Sequence, residues 1–112
     1  MTSKRPLVYI CSPYSGDVEA NVKAAQNYCR LAVDKGYIPV APHLLYPQFM
    51  NDDDPAERNL GLSFGNVLMS KCAELWVCGD RLSPGMEAEF DLASERGMTI
   101  KFLCEEDGNG QP

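Results

Sequence analysis

Apolar and polar positions fall in blocks along the chain, and each block has a period that names an element. Leu7-Val8-Tyr9-Ile10-Cys11 is an unbroken apolar run, the pattern of a strand covered by helices on both faces. It stops at the turn-rich Ser12-Pro13-Tyr14-Ser15-Gly16. Asp17 then stands where a helix N-cap belongs, with Glu19 in the first turn to suit the helix dipole. Val18, Val22, Ala25, Cys29 and Ala32 recur in steps of four, three, four and three, which is one face of a helix. Lys35-Gly36 ends that helix, and Tyr37-Ile38-Pro39-Val40-Ala41 reads as a second strand whose proline points to a sheet edge or a strand start.

Residues 42–57, PHLLYPQFMNDDDPAE, form a connection longer than a compact domain carries without a functional reason, and a lid is the expected use. Asp54-Pro55 has the form of an N-cap followed by proline at the first helical position, after which Leu60, Phe64, Val67 and Leu68 supply an apolar face up to Met69. Leu75-Trp76-Val77-Cys78 is a third strand, and Gly79-Asp80-Arg81-Leu82 turns the chain towards another helix start at Ser83-Pro84-Gly85. The third helix runs from about Pro84 to Arg96 with Gly97 as a left-handed cap, and Thr99 to Cys104 is a fourth strand. One domain over residues 1–104 and a polar tail, EEDGNGQP, over residues 105–112 follow from this order.

Strands alternating with helices at this spacing imply parallel pairing through right-handed crossovers. The expected fold is α/β: a Rossmann-like, doubly wound parallel sheet of four to five strands flanked by helices. In such sheets ligands bind outside the carboxyl ends of the strands, where the strand order reverses. The loops holding Ser12 to Asp17, Pro42 to Tyr46 and Gly79 to Gly85 should therefore converge on one site.

Size and composition narrow the partners. A chain of 112 residues, 45% apolar and 23% charged, builds one ordinary globular core. Sixteen acidic against ten basic residues give a net charge of −6 with no Lys/Arg cluster beyond Lys4-Arg5, which argues against a nucleic-acid partner and for a small ligand. No apolar run approaches the ~20 residues that span a bilayer, and the start MTSKRP followed by a short apolar strand does not make a signal peptide, so a cytoplasmic protein with no membrane partner is expected.

The five cysteines, Cys11, Cys29, Cys72, Cys78 and Cys104, are odd in number, and four lie inside apolar patterns as buried structural thiols do. With Cys72 and Cys78 six apart and His43 the single histidine, no metal is expected. Asn51-Asp52-Asp53-Asp54 lacks the glycine and distal glutamate of a calcium loop and reads as a solvated acidic loop ending in a helix cap. The Ser15-Gly16-Asp17 segment lacks the spaced glycines of a dinucleotide fingerprint, and no phosphate loop occurs, so no cofactor is expected.

On a helical wheel the third helix turns Met86, Phe90 and Ala93 to the sheet and Glu87, Asp91 and Glu95 to solvent. Glu89 stands apart at the margin of the apolar stripe, one turn from the helix start, where a carboxylate is partly desolvated and aimed at the crevice. Pairing with a lysine or capping of a backbone group is the alternative for this position. The helix starts at Asp17 and Ser83 point at the same crevice and offer N–H groups to a phosphate or sugar. Tyr9 is either core with a satisfied hydroxyl or a site residue, and His43 either a structural donor or a catalyst.

VYICSPYSG at the first strand, PVAPH after the first helix, KCAELWVCGD at the third strand and SPGMEAEFDLASERG at the third helix together resemble the nucleoside 2-deoxyribosyltransferase-like superfamily, which includes the 2'-deoxynucleoside 5'-monophosphate N-hydrolases. The resemblance spans roughly residues 7 to 103. It implies that Glu89 attacks the anomeric carbon of a 2'-deoxyribonucleoside, that Tyr9 stands beside this nucleophile, and that Ser83 and Gly85 hold sugar or phosphate oxygens. The candidate substrate-binding set adds Met86 at the helix start, Ser12, Tyr14, Ser15 and Gly16 in the first loop, and His43 and Asp80 in the other two.

Asn66 takes the place nearest to a family aspartate that assists the leaving base, and an amide cannot donate a proton as an acid does. Asp80 or His43 is then the candidate helper. The loop after the first strand reads S-P-Y-S-G where the hydrolases have a more basic stretch, and the chain stops soon after the fourth strand, before the segment that in larger relatives reaches a neighbouring subunit's site. The expected function is an N-glycosidic bond hydrolase or deoxyribosyltransferase acting on a 2'-deoxynucleoside or its 5'-monophosphate. The alternative is a non-catalytic nucleotide-binding domain that senses or sequesters its ligand. A homo-oligomer, a dimer or larger, is expected because a core of this size gains from self-association.

Overall fold

The computed structural model describes residues 5–104, so the tail expected at residues 105–112 lies outside the described residues. The chain runs β1 (Leu7–Cys11), α1 (Val18–Asp34), β2 (Ile38–Val40), two 3-10 turns (Pro42–Leu44 and Tyr46–Gln48), α2 (Pro55–Met69), β3 (Glu74–Cys78), α3 (Pro84–Glu95) and β4 (Thr99–Leu103). The four strands form one all-parallel sheet in the order β2-β1-β3-β4. This is the expected Rossmann-like, doubly wound arrangement, and the order reverses between β1 and β3.

Helices cover both faces because the two central strands are apolar except for Glu74 at the start of β3. On one face Val8, Ile10, Trp76 and Cys78 pack with Tyr28 and Ala32 of α1. On the other, Tyr9, Cys11, Leu75 and Val77 pack with Met69 of α2 and Met86 and Ala93 of α3. Full burial of a side chain such as Ile10 or Leu75 contributes about 1.5–3 kcal/mol. The edge strands are less covered: Pro39 lies in β2, where one side has no ladder to interrupt, and Phe102 of β4 faces outward against Phe90.

The capping residues behave as their types dictate. Asp17, Asp54 and Ser83 accept from the backbone N–H of Ala20, Ala56 and Met86, and Gly97 follows α3 with φ +70°. The helix faces differ from the wheel at two places. In α1 the buried stripe is Ala25, Tyr28 and Ala32, while Val18 in the first turn is exposed. In α2 only Gly65 and Met69 are buried, and Leu60 and Val67 stay 49% and 59% exposed, because this helix turns Gly65 and Met69 to the sheet and leaves Leu60 and Val67 on its outer side.

The connection after β2 carries local structure of its own. Pro42 opens the first 3-10 turn and Pro47 is the second residue of the next, Tyr46 stacks edge-on against Phe49 and Phe64, and the following acidic stretch is tied up by Asn51, whose Oδ1 accepts from Asp53 N and whose N–H donates to Glu57 Oε1. It ends at the Asp54 cap, as the acidic loop was expected to.

At the opposite end of the sheet Glu74 accepts from Tyr37 Oη at 2.8 Å and Trp76 Nε1 at 2.9 Å, and pairs with Lys101 at 3.4 Å. Burial opposes ionisation of Glu74, but these three donors together outweigh it and hold the carboxyl below its ordinary value. No helix among the described residues is long and apolar enough to cross a membrane.

Candidate functional site

At the switch point β1 sends Tyr9 and the loop after it, and β3 the loop that opens α3, to the same place. Tyr9 and Cys11 of β1 point to the α2/α3 face, and α3 enters that face from its capped N-terminus. Met86 and Ala93 anchor α3 to the sheet, which rotates Glu89, one turn after Met86, inward over β1. The Tyr9 hydroxyl donates to Glu89 Oε2 at 2.5 Å. Glu89 is half-buried, and among the described residues it forms no ion pair with a lysine.

Burial pushes the Glu89 carboxyl above its ordinary value of 4.5, and hydrogen bonds from Tyr9 and Cys11 pull part of the way back. The Tyr9 hydroxyl is itself shifted upward, by burial first and then by the neighbouring Glu89 charge, so it stays protonated and donates. The Cys11 thiol is pushed up by the same two causes and remains a thiol, reaching Met86 O at 3.7 Å.

These groups open onto a cleft of about 650 Å³. Its first wall is the loop after β1. Ser12, Tyr14 and Ser15 line it, held in place by Asn21 Nδ2, which donates to the carbonyls of Tyr14 and Ser15. Gly16 does not line the cleft; with φ +97° it makes the turn into α1 that lets Asp17 cap. Ser12 is buried, and its Oγ lies 2.7 Å from His43 Nε2. Burial holds the His43 imidazole down at about 4, so it is neutral at physiological pH and serves as a hydrogen-bonding group.

The α3 start supplies Ser83, Gly85 and Met86 to the cleft. Ser83 Oγ accepts from Met86 N at 3.3 Å, which leaves its hydroxyl hydrogen for a ligand. Asn66 lines the opposite side on α2, and its carbonyl accepts from Arg96 Nη1 at 3.1 Å, tying the end of α3 to α2. Asp80 is exposed and lies outside the cleft wall, because Gly79 at φ +109° turns the chain away after β3. Of the two candidate helpers for the leaving base, Asp80 is therefore out of place and His43 is uncharged.

Several lining residues were not singled out from sequence. Gly65 of α2 is buried against Tyr9, and a Cβ there would stand 3.1 Å from the Tyr9 hydroxyl; the glycine brings α2 close enough to close the back of the cleft. Asp91 and Glu95, assigned to bulk solvent by the wheel, line the cleft from α3. Arg58 does so too, paired with Asp52 at 3.1 Å. The one sequence signal for these was the length of the connection that carries Asp52. Among the described residues no group of three or more His, Cys, Asp or Glu is arranged to hold a metal ion.

A half-buried carboxylate beside a phenol, facing an open cleft at the switch point, is a group equipped to act as a nucleophile or a general base. A family model described as a domain of unknown function (DUF7768) matches residues 6–103. The chain belongs to that family. The match takes in every strand and helix of the DUF7768 fold, from the first residue of β1 to the last of β4. No curated protein matches the chain.

Proposed function

We propose that this DUF7768 protein cleaves the N-glycosidic bond of a 2'-deoxynucleoside or its 5'-monophosphate, with Glu89 as the nucleophile. The observation that carries the reading is the Tyr9–Glu89 hydrogen bond inside the cleft, which fixes a partly desolvated carboxylate where a sugar can reach it. The likeness to the nucleoside 2-deoxyribosyltransferase-like superfamily supports it from the sequence side.

In this reading Glu89 bonds to the anomeric carbon as the bond to the base breaks, and its charge favours the oxocarbenium-like transition state. Water or a second base then resolves the glycosyl ester, giving hydrolysis or transfer. Tyr9 holds the carboxylate in one rotamer, Ser83 and Gly85 face sugar or phosphate oxygens, and Tyr14 and His43 flank the cleft mouth. The free thiols Cys11, Cys72 and Cys78 fit a cytoplasmic setting, where thiols stay reduced.

Self-association belongs to the same proposal, with a second copy of this chain on the outer face of α2. Residues 59–70 carry no charged side chain, and on a chain of net charge −6 such a face is where a like-charged copy can approach.

The test is chromatographic detection of free base from a panel of deoxynucleosides and their monophosphates. Release by the wild type and its loss in Glu89→Gln, with a covalent adduct on Glu89 by mass spectrometry, is the expected result. Tight stoichiometric ligand retention without release would assign the chain to a binding role instead.

A further inference from the structure

The charge of the cleft wall and its proton donors bear on which substrate it takes. Asp91 and Glu95, one turn apart on α3, both line the cleft, and among the described residues neither has an ion-pair or hydrogen-bond partner. Asp52 and Glu57 add two carboxylates on the far wall. Arg58 is the one cationic side chain that lines the cleft among the described residues, and Asp52 already occupies it at 3.1 Å. His43 adds no charge, since burial keeps it neutral.

Beyond the phenols of Tyr14 and Tyr46, the wall is short of acids to protonate a departing base. Asn66 carries an amide, Tyr9 spends its proton on Glu89, Asp80 lies outside, and Asp91 and Glu95 are open to water. A neutral purine or pyrimidine departs as an anion unless something protonates it, and an anion is the species this wall repels.

Resting on the base-release reading above, we infer that the preferred substrate is an unphosphorylated 2'-deoxynucleoside whose base already carries a positive charge, as an N-alkylated purine does. Such a base needs no proton to leave. The C1'–N bond breaks, its electron pair goes to the ring nitrogen and cancels the positive charge, and Glu89 Oε bonds to C1' to form a neutral ester. Water then adds to C1', the ester C–O bond breaks with its pair returning to Glu89, and the surplus proton passes to solvent. The carboxylates at Asp91 and Glu95 attract the cation on entry, and the same carboxylates oppose a 5'-phosphate.

The experiment compares 1-methyl-2'-deoxyadenosine, 2'-deoxyadenosine and 2'-deoxyadenosine 5'-monophosphate on the full chain, both as base release corrected for spontaneous loss and as equilibrium binding to Glu89→Gln, where the lability of the bond plays no part. Binding at least about tenfold tighter for the methylated nucleoside than for the neutral one, and weaker still for the monophosphate, is expected, a tenfold ratio being 1.4 kcal/mol. An Asp91→Asn/Glu95→Gln double variant should shrink that ratio at least about threefold. Release and binding that favour the neutral nucleoside or the monophosphate would overturn the inference and leave the base-release reading standing. No release from any of the three would overturn the inference, and no release from the wider panel of deoxynucleosides and monophosphates would remove the base-release reading as well.

Discussion

The hydroxyl of Tyr9 and the carboxylate of Glu89 stand 80 positions apart in the chain and 2.5 Å apart in space. Tyr9 is fixed by the central strand β1, and Glu89 by a helix whose Met86 and Ala93 are locked into the core. A carboxylate held this way pays little reorganisation when charge develops in front of it.

Replacing Glu89 with Gln is expected to lower base release by about a thousandfold or more while the protein still folds. Burial raises the folded-state pKa of Glu89, so the stability contributed by its protonated form is fully present below the unfolded value of 4.5 and is lost as pH rises through the higher folded value. Glu89→Gln should thus be more stable than the wild type at pH 7 to 8, with the gap closing below about pH 4.5. Thermal denaturation across that range is the check, and a variant less stable than the wild type at pH 8 would contradict the assigned burial.

Tyr9→Phe removes a hydrogen bond to a charged group, and the expected cost is about 1.5–3 kcal/mol. Because that bond lowers the Glu89 pKa, its loss moves the acid limb of the pH–rate profile upward. A merely structural Tyr9 would leave the limb where it is.

Gly65→Ala separates stability from activity. Alanine gains roughly 0.8–1.0 kcal/mol of helix propensity, but its Cβ would meet the Tyr9 hydroxyl at 3.1 Å and displace it by a few tenths of an ångström. The melting temperature should change little while kcat falls; unchanged kinetics would show that the Tyr9–Glu89 spacing is not critical.

The His43 imidazole is driven from 6.5 to about 4 by burial, so the stability it secures is present above its unfolded pKa and is lost as pH falls from 6.5 towards 4. At pH 5 this linkage amounts to about 2 kcal/mol. His43→Gln should flatten the stability curve between pH 6.5 and 4 in a denaturant titration, whatever its effect at pH 7.

Leu60→Ser and Val67→Ser lie on the exposed face of α2, and each should shift monomer stability by no more than about 0.5 kcal/mol. Sedimentation velocity is expected to show a dimer or larger for the wild type and a monomer for the double variant. A monomeric wild type at tens of micromolar would remove self-association through this face.

The continuous apolar runs at Leu7–Cys11 and Leu75–Cys78 determined from sequence that these strands are central and covered on both sides, and with the caps at Asp17, Asp54 and Ser83 they set the order and class of the fold. Glu89 was also legible, because a carboxylate at the edge of an apolar helical stripe breaks a local pattern. Only the tertiary structure decided what Glu89 touches, that Asp80 turns away, and that Asp91 and Glu95 look into the cleft. A helical wheel gives the direction of a side chain but not what stands across from it. For α3 that neighbour is α2, brought in by Gly65, whose missing side chain leaves no signature in hydrophobic periodicity.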